Sequence, residues 1–145
     1  MCLGEWGKPL NPSKSFIFFV LLLLNGCTTG QLYYLDKNGD RKLACDVEFT
    51  GNPWVDKYAV EYSLSLCAKS VVKKGGTVRE VHLLDIDTSI PIPPCGVRWN
   101  HDLAKQMYKS DELSKKEYGY IVAHIDLGLA KVNKCSPNKP SQPDS

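Results

Sequence analysis

Leu32-Tyr33-Tyr34-Leu35 and Leu43-Ala44-Cys45-Asp46-Val47-Glu48-Phe49 flank the dipeptide Asn38-Gly39. An Asn-Gly pair between two apolar runs is a strong hairpin signal, because both central positions of the tight turn take φ > 0. In the second arm Leu43, Cys45, Val47 and Phe49 alternate with Asp46 and Glu48. Period two places the first set toward a core and the acids toward water. Cys45 is therefore expected to point inward.

The same turn admits a second reading. Asp36, Asn38 and Asp40 put oxygens at alternate positions, as a calcium loop does. The pattern then breaks, since Arg41 stands at the sixth place, where the loop needs glycine, and the twelfth place is Val47. These three are weak metal candidates, and a solvated turn is the expectation.

Beyond the hairpin, Asn52-Pro53 suits an N-cap followed by the first helical position. Val60, Leu64, Cys67 and Val71 then recur at helical spacing up to Gly75-Gly76. Residues 78–86 read as a strand. Pro91, Pro93 and Pro94 impose an extended passage over 88–94. A helix opening at Trp99 or Asn100 runs to about Tyr108, with Leu103, Ala104 and Met107 inward. Ser114 and Glu117 form a capping box, with Leu113 and Tyr118 as its staple. The stretch 118–129 also admits a period-two reading, and Gly119 disfavours a helix; the cap favours helix. The expected fold is a small single α+β domain: an N-terminal hairpin and a further strand packed on about three helices, with two disulfides.

Toward the N-terminus, Phe16-Ile17-Phe18-Phe19-Val20-Leu21-Leu22-Leu23-Leu24 is too short to span a bilayer, which takes about 20 residues. With Lys8 and Lys14 upstream it fits the apolar region of a secretory signal peptide. Leu24-Asn25-Gly26-Cys27 follows. It resembles the lipobox of bacterial lipoproteins, with Asn25 where Ala or Ser is more usual. The resemblance covers about the first 30 residues. It implies cleavage before Cys27, diacylglycerol on that sulfur and a further acyl chain on its amine. Thr28, rather than Asp, implies the outer membrane facing the periplasm. The expected organisation is a signal peptide over 1–26, a lipidated start and short linker over 27–30, a domain over 31–135, and a disordered tail over 136–145.

The chain has 145 residues and 6 cysteines. Removing Cys2 and Cys27 leaves Cys45, Cys67, Cys95 and Cys135. An even number in an exported small domain implies disulfides, with pairing open. No C-x-x-C spacing supports zinc. A formal net charge of +2, without a basic block, argues against nucleic acid as partner.

No catalytic motif is present, and no cofactor is implied. Asp85, Asp87 and His124 are weak catalytic candidates, the two acids as one face of the expected strand. Tyr33, Tyr34, Trp54 and Trp99 are interface candidates, because Tyr and Trp join a large area to a polar tip. The function class favoured is binding or scaffolding of another envelope protein from a lipid anchor. A small periplasmic enzyme is the alternative, and a calcium-stabilised module the third.

Overall fold

The structure, a computed structural model, describes residues 27–135. The signal peptide and tail expected from the sequence lie outside these residues. Strands β1 (Thr28–Leu35) and β2 (Arg41–Phe49) pair antiparallel. Gly39 has φ 86° at the turn between them, a value that favours glycine. β1 starts directly after Cys27, so residues 28–30 of the expected 27–30 linker are strand, paired from Thr28↔Phe49 onward.

One expectation about the hairpin fails at a bulge. Leu32 faces Cys45 and Tyr33 faces Leu43, leaving Ala44 as the extra residue on β2. A bulge reverses the side-chain alternation. Ala44 and Cys45 both pack toward the core around Leu32, while Leu43 is 48% exposed.

Helix α1 (Pro53–Lys73) begins at the expected cap, with Asn52 Oδ1 accepting from the Trp54 N–H at 3.0 Å. It ends before Gly75, which has φ 87°. The helix is buried on two sides. Leu64, Cys67, Ala68 and Val71 pack with Leu32 of the sheet. Ala59 and Tyr62 pack instead against Tyr120 and Ala123. The apolar stripe read from the sequence is thus only the sheet-facing side.

The strand expected over 78–86 is a correction. Only β3 (Thr77–Val78) pairs with β1, and residues His82–Asp85 form a one-turn helix, α2. Leu83 and Leu84 are adjacent, yet both pack on the Leu32 cluster. A flat strand would send them to opposite faces. The turn is pinned by the Ser65 hydroxyl, buried in α1, which donates to the Leu83 carbonyl at 2.7 Å. The sheet has the order β2-β1-β3.

The proline-rich passage is extended and carries no helix or strand. Helices α3 (His101–Lys109) and α4 (Lys115–Asp126) follow. α4 has both bonds of the capping box, so the helical reading of 118–129 holds as far as Asp126. Gly128, at φ 69°, lies just beyond its end. Trp99, Ala104, Leu113 and Ile121 form the core between α3 and α4. Disulfides join Cys45 to Cys67 and Cys95 to Cys135. The first ties β2 to α1; the second ties the proline-rich passage to the end of the domain. Among the described residues, no helix is long and apolar enough to cross a membrane.

Candidate functional site

Among the described residues, one side of the sheet strand β1 is largely unpaired. β1 is paired with β2 along its whole length, from Thr28↔Phe49 to Leu35↔Arg41. On its other side only Tyr34↔Val78 and Leu35↔Thr77 pair, because β3 is two residues long. Among the described residues, no other backbone bonds reach residues 28–33. A strand with an unpaired edge is a template for another strand. Thr29 and Gln31 are exposed along it. Gln31 Nε2 donates to Asp46 Oδ2 at 3.1 Å on the paired side.

Tyr33 and Tyr34 sit at the far end of this strand, both half-buried. The Arg41 guanidinium lies 4.2 Å above the Tyr33 ring, and the Tyr33 hydroxyl donates to Gln31 Oε1 at 3.3 Å. Tyr34 packs on the Leu32 cluster and lines a cavity with Lys37, Leu43, Val71 and Lys74. Trp54, on the first turn of α1, is 68% exposed. Trp99 is a correction. It is 2% exposed, and its Nε1 donates to the Pro91 carbonyl at 2.9 Å. It holds the proline-rich passage against α3 and α4 and presents nothing to a partner. The exposed apolar residue of that passage is Ile92, at 77%.

The calcium candidates are a turn. Asp36 Oδ1 accepts the Asn38 and Asp40 N–H groups at 2.8 and 3.0 Å, and Oδ2 binds the Lys42 ammonium. Lys42 above all holds the Asp36 carboxyl below its ordinary range. A cation and backbone donors thus take both oxygens. Among the described residues, no group of three or more His, Cys, Asp or Glu could hold a metal ion.

The catalytic candidates do not converge on shared contacts. Asp85 lies on α2 and not on a strand face with Asp87. Asp87 Oδ1 accepts the Ser89 N–H at 2.9 Å, which leads in lowering its pKa. His124 instead meets Tyr62 between α1 and α4, with Nδ1 2.8 Å from the hydroxyl. Burial lowers the imidazole's pKa, and a bond with the Leu129 backbone opposes that shift.

Beside this pair lies a cluster that the sequence reading missed. The Tyr120 hydroxyl donates to Glu61 Oε1. Lys116 pairs with the same oxygen at 3.5 Å and lies 5.1 Å above the Tyr120 ring. Burial first, then the Glu61 bond, pushes the Tyr120 hydroxyl upward. Its proton therefore stays in place at ordinary pH, and the cluster works as a polar clamp between the two helices. The helical phase of Glu61 and Tyr62 against the sheet-facing stripe was the available signal.

No family model matches the chain, and no curated protein or solved structure gives a significant match.

Proposed function

We propose that this chain is a bacterial envelope lipoprotein, anchored by Cys27 at the periplasmic side of the outer membrane, that binds another envelope protein. Strand addition at the open edge of β1 is the mode of binding. The observation that carries the binding half is the edge over residues 28–33, paired on one side only among the described residues. Main-chain bonds to an incoming strand supply affinity, and alternating side chains supply selection. β3, pairing at Tyr34 and Leu35, closes the far end of that edge, and Tyr33 lies next to it, half-buried beneath the Arg41 guanidinium. The two disulfides suit an oxidising compartment.

The anchor half rests on the lipobox-like Leu24-Asn25-Gly26-Cys27. In the uncleaved chain Cys27 is disulfide-bonded. A thioether and a disulfide are alternatives for one sulfur, so acylation as proposed takes the reduced Cys27 thiol, before any disulfide forms there. Each buried acyl methylene contributes about 0.8 kcal/mol, so several chains make a durable anchor.

The test combines intact mass with crosslinking in cells. The membrane-extracted protein should start at Cys27, carry the acyl mass and lack four thiol hydrogens. A photo-crosslinking residue at Thr29 or Gln31 should give a discrete protein adduct, lost on Tyr33→Ala, whereas one at Lys105 on α3 should not. Equal adducts at all three positions would refute the edge. Turnover of a substrate abolished by Asp85→Asn in a folded protein would refute the binding role.

A further inference from the structure

We infer that one pole of the domain, where Cys27 and the exposed Trp54 lie, rests on the lipid surface with the Trp54 indole in the headgroup layer. This assignment rests on the lipid-anchored reading above and adds to it an orientation and a contact residue.

Three elements start at this pole. Gly30 on β1 approaches Val60 and Leu64 of α1 so closely that a Cβ there would lie 2.5 Å from Val60 Cγ1. Further along, Leu32 packs with Ala68 and Val71. β1 and α1 therefore run in the same direction. Gly119 of α4 lies against Val55 and Tyr58, and His124 further on meets Tyr62. α4 therefore runs the same way. Cys27, Trp54 and Lys115 consequently gather at one end, and the hairpin turn and the C-terminus of α1 lie at the other.

The tether has no slack. Thr28 is already paired with Phe49, and only residues 50–52 separate Phe49 from α1. Successive Cα atoms are about 3.8 Å apart, so an acylated Cys27 holds the sheet end within a side chain's length of the lipid. A domain so held touches the surface with the pole that carries its anchor. Among the described residues, Trp54 is a large apolar side chain exposed there, at 68%. Tryptophan favours the membrane–water interface, where its ring is shielded and its N–H stays wet. Charge adds little. Lys57, Lys109 and Lys115 are exposed at this end, and so are Asp111 and Glu112 in the α3–α4 loop. Tyr108 stacks on Tyr118 at 4.6 Å, which places that loop beside the first turn of α4.

The experiment uses the full-length gene product extracted from bacterial membranes. It is reconstituted in vesicles of plain phosphatidylcholine or of phosphatidylcholine brominated on its acyl chains. Bromine quenches indoles at close range. The expected result is loss of most Trp54 emission in the brominated vesicles. The acylated Trp54→Phe variant, whose remaining Trp99 is enclosed in the core, should show no loss. Replacing a quarter of the lipid by phosphatidylglycerol should leave the quenching unchanged. An acylated protein equally bright in both vesicles would overturn the orientation and leave the anchor standing. So would equal quenching in Trp54→Phe, or quenching seen only with phosphatidylglycerol. An intact mass without acyl chains would overturn the anchor, and the orientation with it.

Discussion

Tyr62 and His124 share a hydrogen bond of 2.8 Å across the face where α1 meets α4. Their rings meet edge-on, 6.2 Å apart, and Tyr62 also packs on Tyr120 at 5.0 Å. Burial keeps the imidazole below its ordinary value of 6.5 and keeps the Tyr62 hydroxyl protonated. The folded state thus binds a proton at His124 less readily than the unfolded chain does.

Stability should therefore be full above the unfolded value and fall as pH drops through 6.5 toward the folded value. Urea midpoints at about pH 7.5 and about pH 5.5 would show the loss, and His124→Gln should shrink it. Asp36, Asp87 and Glu117 have lowered values and act in a separate window. Their contribution is present above the unfolded carboxylate range and fades as pH falls through their folded values. An unchanged pH slope in His124→Gln would refute the assignment.

Gly119→Ala should destabilise the protein, although alanine favours a helix over glycine by about 1 kcal/mol. A Cβ at this position would lie 2.7 Å from Tyr58 Cβ and 2.8 Å from the Val55 carbonyl oxygen. The helices must part to admit it, at a cost of about 1–3 kcal/mol. Thermal melting reads the sign directly; a gain in Tm would show that α1 and α4 are not in such close contact.

The start of α4 depends on a reciprocal pair. The Glu117 N–H donates to Ser114 Oγ at 3.2 Å, and the Ser114 N–H donates to Glu117 Oε2 at 2.8 Å. Ser114→Ala should cost about 1 kcal/mol, and Ser114→Gly less. In the alanine variant the Glu117 carboxyl should titrate closer to its ordinary value, because the Ser114 bonds are what lower it. Carbon-detected NMR titration of Glu117 checks this.

The two disulfides should differ in what their loss does. They span 22 and 40 positions, so the chain-entropy model assigns about 3 and about 4 kcal/mol. Cys45→Ala with Cys67→Ala loosens β2 from α1 beside the Leu32 core and should lower the midpoint of the whole domain. Cys95→Ala with Cys135→Ala should expose the amides of Gly96 and Asn133 to hydrogen exchange first. Those amides pair with Asn133 O at 2.9 Å and Val97 O at 2.8 Å beside the bridge.

Local signals were legible where they are self-contained. Asn38-Gly39 made a turn, though with φ > 0 at Gly39 and not at Asn38; Asn52-Pro53 opened α1, and Ser114 with Glu117 opened α4. What failed to read depended on distant partners. Leu43 changes face because of a bulge opposite Leu32 and Tyr33. Residues 82–85 coil because Leu83 and Leu84 both find the core, and Ser65, 18 positions earlier, holds the turn. Trp99 reads as an interface residue until the Pro91 carbonyl gives its N–H a buried partner. Tyr120 and Glu61 are 59 positions apart, so their contact has no signature in spacing. The open edge of β1 was equally hidden, because it follows from the shortness of β3.

The Cys95–Cys135 bridge encloses α3, the loop after it and α4 in one covalent ring. A protease that nicks the exposed loop at Asp111 or Glu112 therefore severs the chain without releasing a fragment. The clipped molecule would run as one band on a gel until a reductant is added, and would then split in two. Such a wound need not mean the loss of a part.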